Sequence, residues 1–459
     1  MKAEQSPEKE LLYGRGDVLF IKKIVYPVVV IAFLFFPNIS QAKLFSYESY
    51  TLDNGLRVIL YNADEGADVV SQTVFYDAGG MDDFPGKSGV AHFLEHLMFK
   101  GDNANFSSNI SKLGGDNNAF TTQDCTAYYQ VVSSNRLEDI IALESVRMGN
   151  LSFSQEEFET EKKVVQQERL MRYEMSPKAK FLEKLSWVFW MGHPYGVPVI
   201  GRKEEFMHVE EQDVKDFYNK FYAPNNAILV ISGKFDKSKA KKLIEKYYGH
   251  YAAREIEKKP VIAVDNRVIT KTEEENASVG QGIIYMMYSA DSIGLKMHDD
   301  YKNVYALMMN AHILGGSKVS MLYRRLVNKK ELAIDVSVSY QAFNRSNGVF
   351  VISIIPKADK FAEEIINIVS EEMKTIAKKG VSEKELAVAK ETFLADIVYA
   401  KEDVFSIANW LGKAALLGYD INEIEIGIKR VAVDDTKSAM HGILEGDSHI
   451  VGVQKGAAK

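Results

Sequence analysis

The sequence predicts a mixed α+β protein of two domains of comparable size, and three observations carry that expectation. The 459 residues are roughly three times a typical 150-residue domain. Helix-periodic segments and segments rich in β-branched and aromatic residues interleave irregularly, which favours α+β layers over a regular series of parallel strands and crossover helices. A polar stretch from Ala252 to Val279, with Lys258-Lys259-Pro260 and Glu273-Glu274-Glu275-Asn276, lies between two units of similar length. The expected division is a leader at 1–42, a first domain at 43–251, a linker at 252–279 and a second domain at 280–459.

Composition narrows the function. Hydrophobic residues are 46% and charged residues 26% of the chain, the balance of a globular protein and not of a disordered or polytopic membrane chain. Acidic residues outnumber basic ones by 63 to 56, with no long basic run, so nucleic acid is excluded as a partner class. Cys125 is the single cysteine, so no intrachain disulfide or multi-thiolate metal site can form. A metal would rest mainly on histidine and carboxylate.

Taken in order, Lys22 and Lys23 precede an apolar stretch from Ile24 to Phe36, and Ser40-Gln41-Ala42 offers a cleavage site before Lys43. That pattern reads as a secretory signal with a periplasmic or secreted product and no other membrane contact. A retained anchor is the alternative, although about 20 residues are needed to span a bilayer. Translation starting near Val18 is a further reading. Tyr50-Thr51-Leu52 and Leu56 to Leu60 flank Asp53-Asn54-Gly55 as a hairpin.

The segment Ser88 to Gly101 contains His92-Phe93-Leu94-Glu95-His96. Val90, Phe93, Leu94, Leu97 and Met98 recur as on a core-facing helix, so His92, Glu95 and His96 share the opposite face. Imidazoles one turn apart can reach one Zn²⁺, and a carboxylate beside them can hold water without being a ligand. Asn117 to Tyr129 reads as strand-like after Gly114-Gly115, an edge on which an extended peptide could pair.

A second helix starts at a capping box of Ser154 and Glu157 and runs to about Glu174, before Pro177. Phe158, Glu161, Val164, Val165 and Glu168 lie along one stripe of it, which puts two carboxylates where apolar residues would mark the core. A buried unpaired carboxylate costs several kcal/mol, so both need a cation or strong donors. Glu168 would complete a His, His, Glu site, with Glu161 orienting a ligating histidine. A charged surface helix is the competing reading. Cys125 is the other conceivable third ligand, though a lone cysteine is more often buried. His193 has no partner at a telling spacing and reads as a loop-packing residue. Val230 to Gly233 closes the first unit.

With these residues in view, residues 46–455 resemble the pitrilysin (M16, inverzincin) metallopeptidase family, in a short bacterial form akin to the β subunit of mitochondrial processing peptidase. His92-x-x-Glu95-His96 matches the inverted zinc motif, Glu161 and Glu168 the downstream glutamate pair, and Asn118-Ala119-Phe120-Thr121 the substrate-binding edge strand. His193 to Gly196 and Tyr222 to Ala227 match family loops. The resemblance implies two similar α+β domains, each an antiparallel sheet flanked by helices. It further implies one Zn²⁺ per chain on His92, His96 and Glu168, with Glu95 as catalytic base, Glu161 as support and substrate along Asn118, Ala119 and Phe120.

The family's working enzyme has four such domains closing on an unfolded peptide, and this chain supplies two. Family members with a complete site carry an Arg and a Tyr seven positions apart after a Gly-Gly segment. Here the stretch after Gly315-Gly316 places Val327 and Ile334 at those positions. An M16-like partner subunit supplying Arg and Tyr is therefore expected, with a homodimer or a non-catalytic structural subunit as alternatives.

Overall fold

In a computed structural model of the chain, the described residues are 43–63, 67–257, 262–263, 268–296, 300–446 and 448–456. The signal-peptide reading at 1–42 lies outside them. Asp53-Asn54-Gly55 forms the expected turn, with Gly55 at φ +86° and its amide bonded to the Leu52 carbonyl. It joins β1 (Glu48–Thr51) to β2 (Arg57–Asn62). β3 (Val69–Tyr76), β4 (Asp116–Thr121), β5 (Thr126–Ser133) and β6 (Ala227–Gly233) complete the first sheet, in the order β1-β2-β6-β3-β5-β4. The second sheet contains β7 (Val268–Asn276), β8 (Ile283–Ala290), β9 (Ala333–Gln341), β10 (Gly348–Pro356) and β11 (Ser448–Gly456), in the order β7-β11-β8-β10-β9.

Strands β2 to β6 and β7 to β11 follow the same path, so the halves are structural repeats. Neither sheet is purely antiparallel. In each, the last strand of the repeat returns beside the repeat's first strand, β2 or β7, and runs with it, giving the parallel pairs β2–β6 and β7–β11. Residues 268–276, taken from sequence as linker, are strand β7, paired with β11 along its whole length. Its charged side chains alternate outward, with Lys271 and Glu273 bonded to Glu363 and Lys455, and that outward charge imitates a polar linker.

The halves exchange helices. The helix Pro177–Trp190 of the first half lays Phe181, Leu185 and Phe189 on Ile283, Met287, Val349 and Ile450 of the second sheet. The helix Val404–Leu416 of the second half packs on β3 and β6 of the first. Gly412 makes that close approach feasible, because a Cβ there would stand 2.1 Å from the Phe75 ring. Gly412→Val is expected to cost about 1–3 kcal/mol despite its better helix propensity, since the clash lies in a packed core; a lowered denaturation midpoint at unchanged slope would register it.

A polar clasp reinforces the exchange. Arg345, in the β9–β10 loop, meets Asp82 at 3.0 Å, Asp77 at 3.6 Å and Asp124 at 3.8 Å. Tyr195 donates to Asp124 at 2.6 Å and accepts from the Ser346 amide at 3.1 Å, while His193 lies 3.2 Å from the Ser346 hydroxyl. The His193-Pro194-Tyr195-Gly196 segment therefore ties the halves together.

Candidate metal centre

The helix Val90–Leu97 begins where Gly89, at φ +96°, turns the chain against the Ile200 carbonyl, 2.6 Å from where a Cβ would stand. Asp83 accepts from the Gly89 and Ala91 amides at 2.6 and 2.8 Å, capping the positive end of the helix from six residues upstream. Val90, Phe93, Leu94, Leu97 and Met98 are fully buried, as the period predicts. The opposite face is covered too: His92 and Glu95 are 9% and 8% exposed.

What covers them is the helix Gln155–Arg169, started by the expected Ser154–Glu157 capping box. Glu157 also accepts from the Gly101 amide at 3.0 Å, which fixes this helix against the end of the first. From Leu170 to Glu174, starting two residues past Glu168, it widens into a π-turn, a form of helix defect common at functional sites. Phe158 and Val165 are buried on the predicted stripe, whereas Val164 is 45% exposed and does not belong to it. Glu161 is 7% exposed and the Glu168 side chain 16%.

These two helices bring the predicted ligands together. One nitrogen each from His92 and His96 and one Glu168 oxygen lie within 4.8 Å of one another. His96 Nε2 is 3.4 Å and His92 Nε2 3.9 Å from Glu168 Oε2. His96 turns its Nδ1 to Glu161 Oε1 at 2.9 Å, and Lys100 Nζ holds the other Glu161 oxygen at 2.5 Å. Arg172 Nη1 meets Glu168 Oε1 at 2.9 Å, leaving Oε2 to the histidines.

The electrostatics suit a cation. Burial and the neighbouring His96 push His92 down to about 4, so its imidazole is neutral and can donate a lone pair. Burial disfavours charge on His96 as well, yet its hydrogen bonds to Glu161 and Glu168 push it up to about 9; the carboxylates draw positive charge to this spot. The Glu168 carboxyl is held below its usual range by His96, against its partial burial. Two imidazoles and one carboxylate are the donor set of catalytic zinc, with Glu161 in the supporting role that ligating histidines commonly require. Cys125 is 2% exposed in the core, its thiol pushed up to about 11 by burial, and it is not among the converging ligands.

Glu95 stands beside the ligands, and burial raises its carboxyl above the usual range, opposed by a hydrogen bond from the Thr121 hydroxyl to Oε2. Thr121 ends β4, the edge of the first sheet, whose outer side pairs with no strand among the described residues. Alternation along β4 turns Ala119 and Thr121 toward the metal-motif helix. It turns Asn118 and Phe120 to the other face, with Phe120 against Phe75 and Phe405. What β4 offers an extended peptide is its backbone edge. Lys100 and Arg172 carried no sequence signal as site residues, because a single cation on a helix has no pattern; Thr121 lies in the matched edge strand, but its bond to Glu95 had no signal.

A two-histidine, one-carboxylate centre beside a free carboxylate is an arrangement used by metal-dependent hydrolases. Residues 58–203 match the family model of the insulinases (peptidase family M16), and residues 208–393 match that of the M16 inactive domain. The chain belongs to the M16 peptidase family. Among relatives, it is 28% identical over 377 residues to the zinc protease PqqE of Helicobacter pylori, covering 80% of this chain and 83% of that one. A solved protease from Helicobacter pylori superposes with a TM-score of 0.80 at 23% identity, over 90% of this chain and 99% of that chain. The periplasmic protease PqqL of Escherichia coli gives a TM-score of 0.74 at 18% identity, over 89% of this chain but 47% of that chain. Among the described residues, no helix is long and apolar enough to cross a membrane.

Proposed function

We propose that this protein is the zinc-bearing subunit of an endopeptidase that cleaves peptides inside a closed chamber, and that a second M16-like subunit completes it. The observation that carries the reading is the convergence of His92, His96 and Glu168, with Glu95 alongside and a free sheet edge next to it. His92, His96 and Glu168 would hold one Zn²⁺. When bound, the ion supplies Lewis-acid polarisation and a water whose pKa is lowered toward about 7. The protein's own groups do the rest. β4 aligns the peptide backbone, with Asn118, Ala119 and Phe120 as its pairing segment. Thr121 fixes one oxygen of Glu95; the other takes a proton from the attacking water and returns it to the leaving amine. Glu161 keeps His96 in the tautomer that presents Nε2. The leader at 1–42 directs the chain to the periplasm or out of the cell.

Partner dependence rests on Val327 and Ile334. Loss of one transition-state donor typically costs about 10²–10³ in rate. PqqL, about twice as long, accommodates the present fold in roughly half its chain, in keeping with a four-domain chamber. Mixing the purified chain with a candidate M16-like partner tests this: cleavage of a quenched peptide is expected only in the mixture. Equal cleavage by the chain alone would refute the partner, and none in either would favour a non-catalytic subunit, the reading that the missing Arg and Tyr support.

Metal content gives a second test. Glu168→Gln is expected to lose zinc at equal protein concentration, and Glu161→Gln to weaken zinc binding by about 10–100-fold. Full retention of metal by Glu168→Gln would point to a different third ligand.

A further inference from the structure

Arg172 is the most exposed charged group at the metal centre. Its side chain is 70% exposed, against 32% for Lys100 and 16% for Glu168. Nη1 meets Glu168 Oε1 at 2.9 Å, and among the described residues Glu168 is its one ion-pair partner. A guanidinium carries five N–H donors in a flat fork, so a single carboxylate oxygen leaves most of them open. The neighbouring acids are engaged elsewhere. Glu174, on the same π-turn, lies 3.4 Å from Lys203, and Glu161 is held between His96 and Lys100. Met171 and Met175, exposed on that turn, bring no charge.

Place and charge select what those open donors meet. Arg172 touches the far oxygen of a ligand, and the ligand atoms lie within 4.8 Å of one another. Its fork therefore reaches the side chains that flank a bond held at the centre. With a divalent ion bound, the positive charges of the ion, Arg172 and Lys100 outnumber the negative charges of Glu95, Glu161 and Glu168. A cationic side chain is repelled by that excess, and an aliphatic one leaves the fork to water. A carboxylate matches both the charge and the planar two-pronged geometry.

We propose that Arg172 is a specificity-determining residue that binds the carboxylate of an aspartate or glutamate side chain next to the scissile bond. This deepens the peptidase reading and rests on it. The test uses the zinc-loaded full chain and small hydroxamates, whose metal-seeking group stands in for the scissile carbonyl and needs no partner subunit. Acetyl-aspartyl hydroxamate is titrated calorimetrically against acetyl-asparaginyl hydroxamate. A second pair, succinic monohydroxamate and its amide, places the carboxylate at a chain end, as a free peptide C-terminus would.

The aspartyl compound is expected to bind about tenfold more tightly than the asparaginyl one, the low end of what a charged hydrogen bond contributes. The preference should shrink at about 1 M salt, where screening acts within about 3 Å. Arg172→Gln should erase it and Arg172→Lys keep part of it; both changes lie on the surface and leave the core intact. Because the ratio is taken within each protein, any effect of the substitution on zinc affinity cancels. Equal affinities in the parent, or a preference that survives Arg172→Gln, overturns the proposal. A preference confined to the succinic pair assigns Arg172 to a C-terminal carboxylate and overturns it as well. The peptidase reading fails separately, if the zinc-loaded chain binds no hydroxamate at all.

Discussion

Replacing Glu95 with glutamine is expected to remove hydrolysis while leaving zinc bound. The substitution keeps the shape and an acceptor for Thr121 but deletes the proposed proton-transfer site, and general acid–base groups contribute about 10²–10⁴ in rate. Glu95 is not one of the three converging ligands, so metal content should stay at the unaltered level. Peptide turnover in the reconstituted enzyme and zinc per chain, measured on the same sample, decide it. Undiminished turnover would refute the assigned base; loss of both turnover and metal would mean that Glu95 supports the ligands instead.

The second large effect concerns stability. Arg147 is 1% exposed and pairs with Glu144, which is fully buried. Its guanidinium lies 4.1 Å from the Phe106 ring centroid and 4.2 Å from that of Tyr128, and Gln130 donates to Glu144 at 2.8 Å. Arg147→Ala should destabilise the fold by about 3–5 kcal/mol, because it strands a carboxylate in the core as well as removing stacking. Burial already pushes the Glu144 carboxyl above its usual range, with Arg147 and Gln130 pulling it back.

A folded state that holds this proton more tightly than the unfolded chain is favoured at low pH. That stability is present below the unfolded value of about 4.3 and is lost as pH rises through the folded one. The loss should be steeper in Arg147→Ala than in the parent. Denaturation midpoints measured at acidic and at neutral pH would show it, and an equal slope in both proteins would mean that Glu144 finds another cation.

How far the site can be read from residues alone depends on periodicity. His92, Glu95 and His96 are legible because the apolar positions around them leave one helical face unexplained. Glu161 and Glu168 are legible because carboxylates occupy positions of a core stripe. The bond from Thr121 to Glu95 is not, since a strand has many hydroxyls and only its register against the metal-motif helix makes one of them matter. The same limit hides β7, where alternating charges on an edge strand look like a solvated connector. The role of His193 depends on a loop contributed by the other half of the chain, at a sequence separation no local pattern spans. The parallel return of β6 and β11 depends on pairing information that hydrophobicity does not carry.

Because each sheet is roofed by a helix borrowed from the opposite half, neither half is a self-sufficient module. Severing the backbone between them would leave one particle, and expressing either piece alone would bare an oily face to water. The two halves are thus interlocked. In the proposed two-subunit enzyme, the opening that admits a substrate would lie where this polypeptide meets the other, and an inhibitor wedged into that seam would block cleavage without touching the metal site.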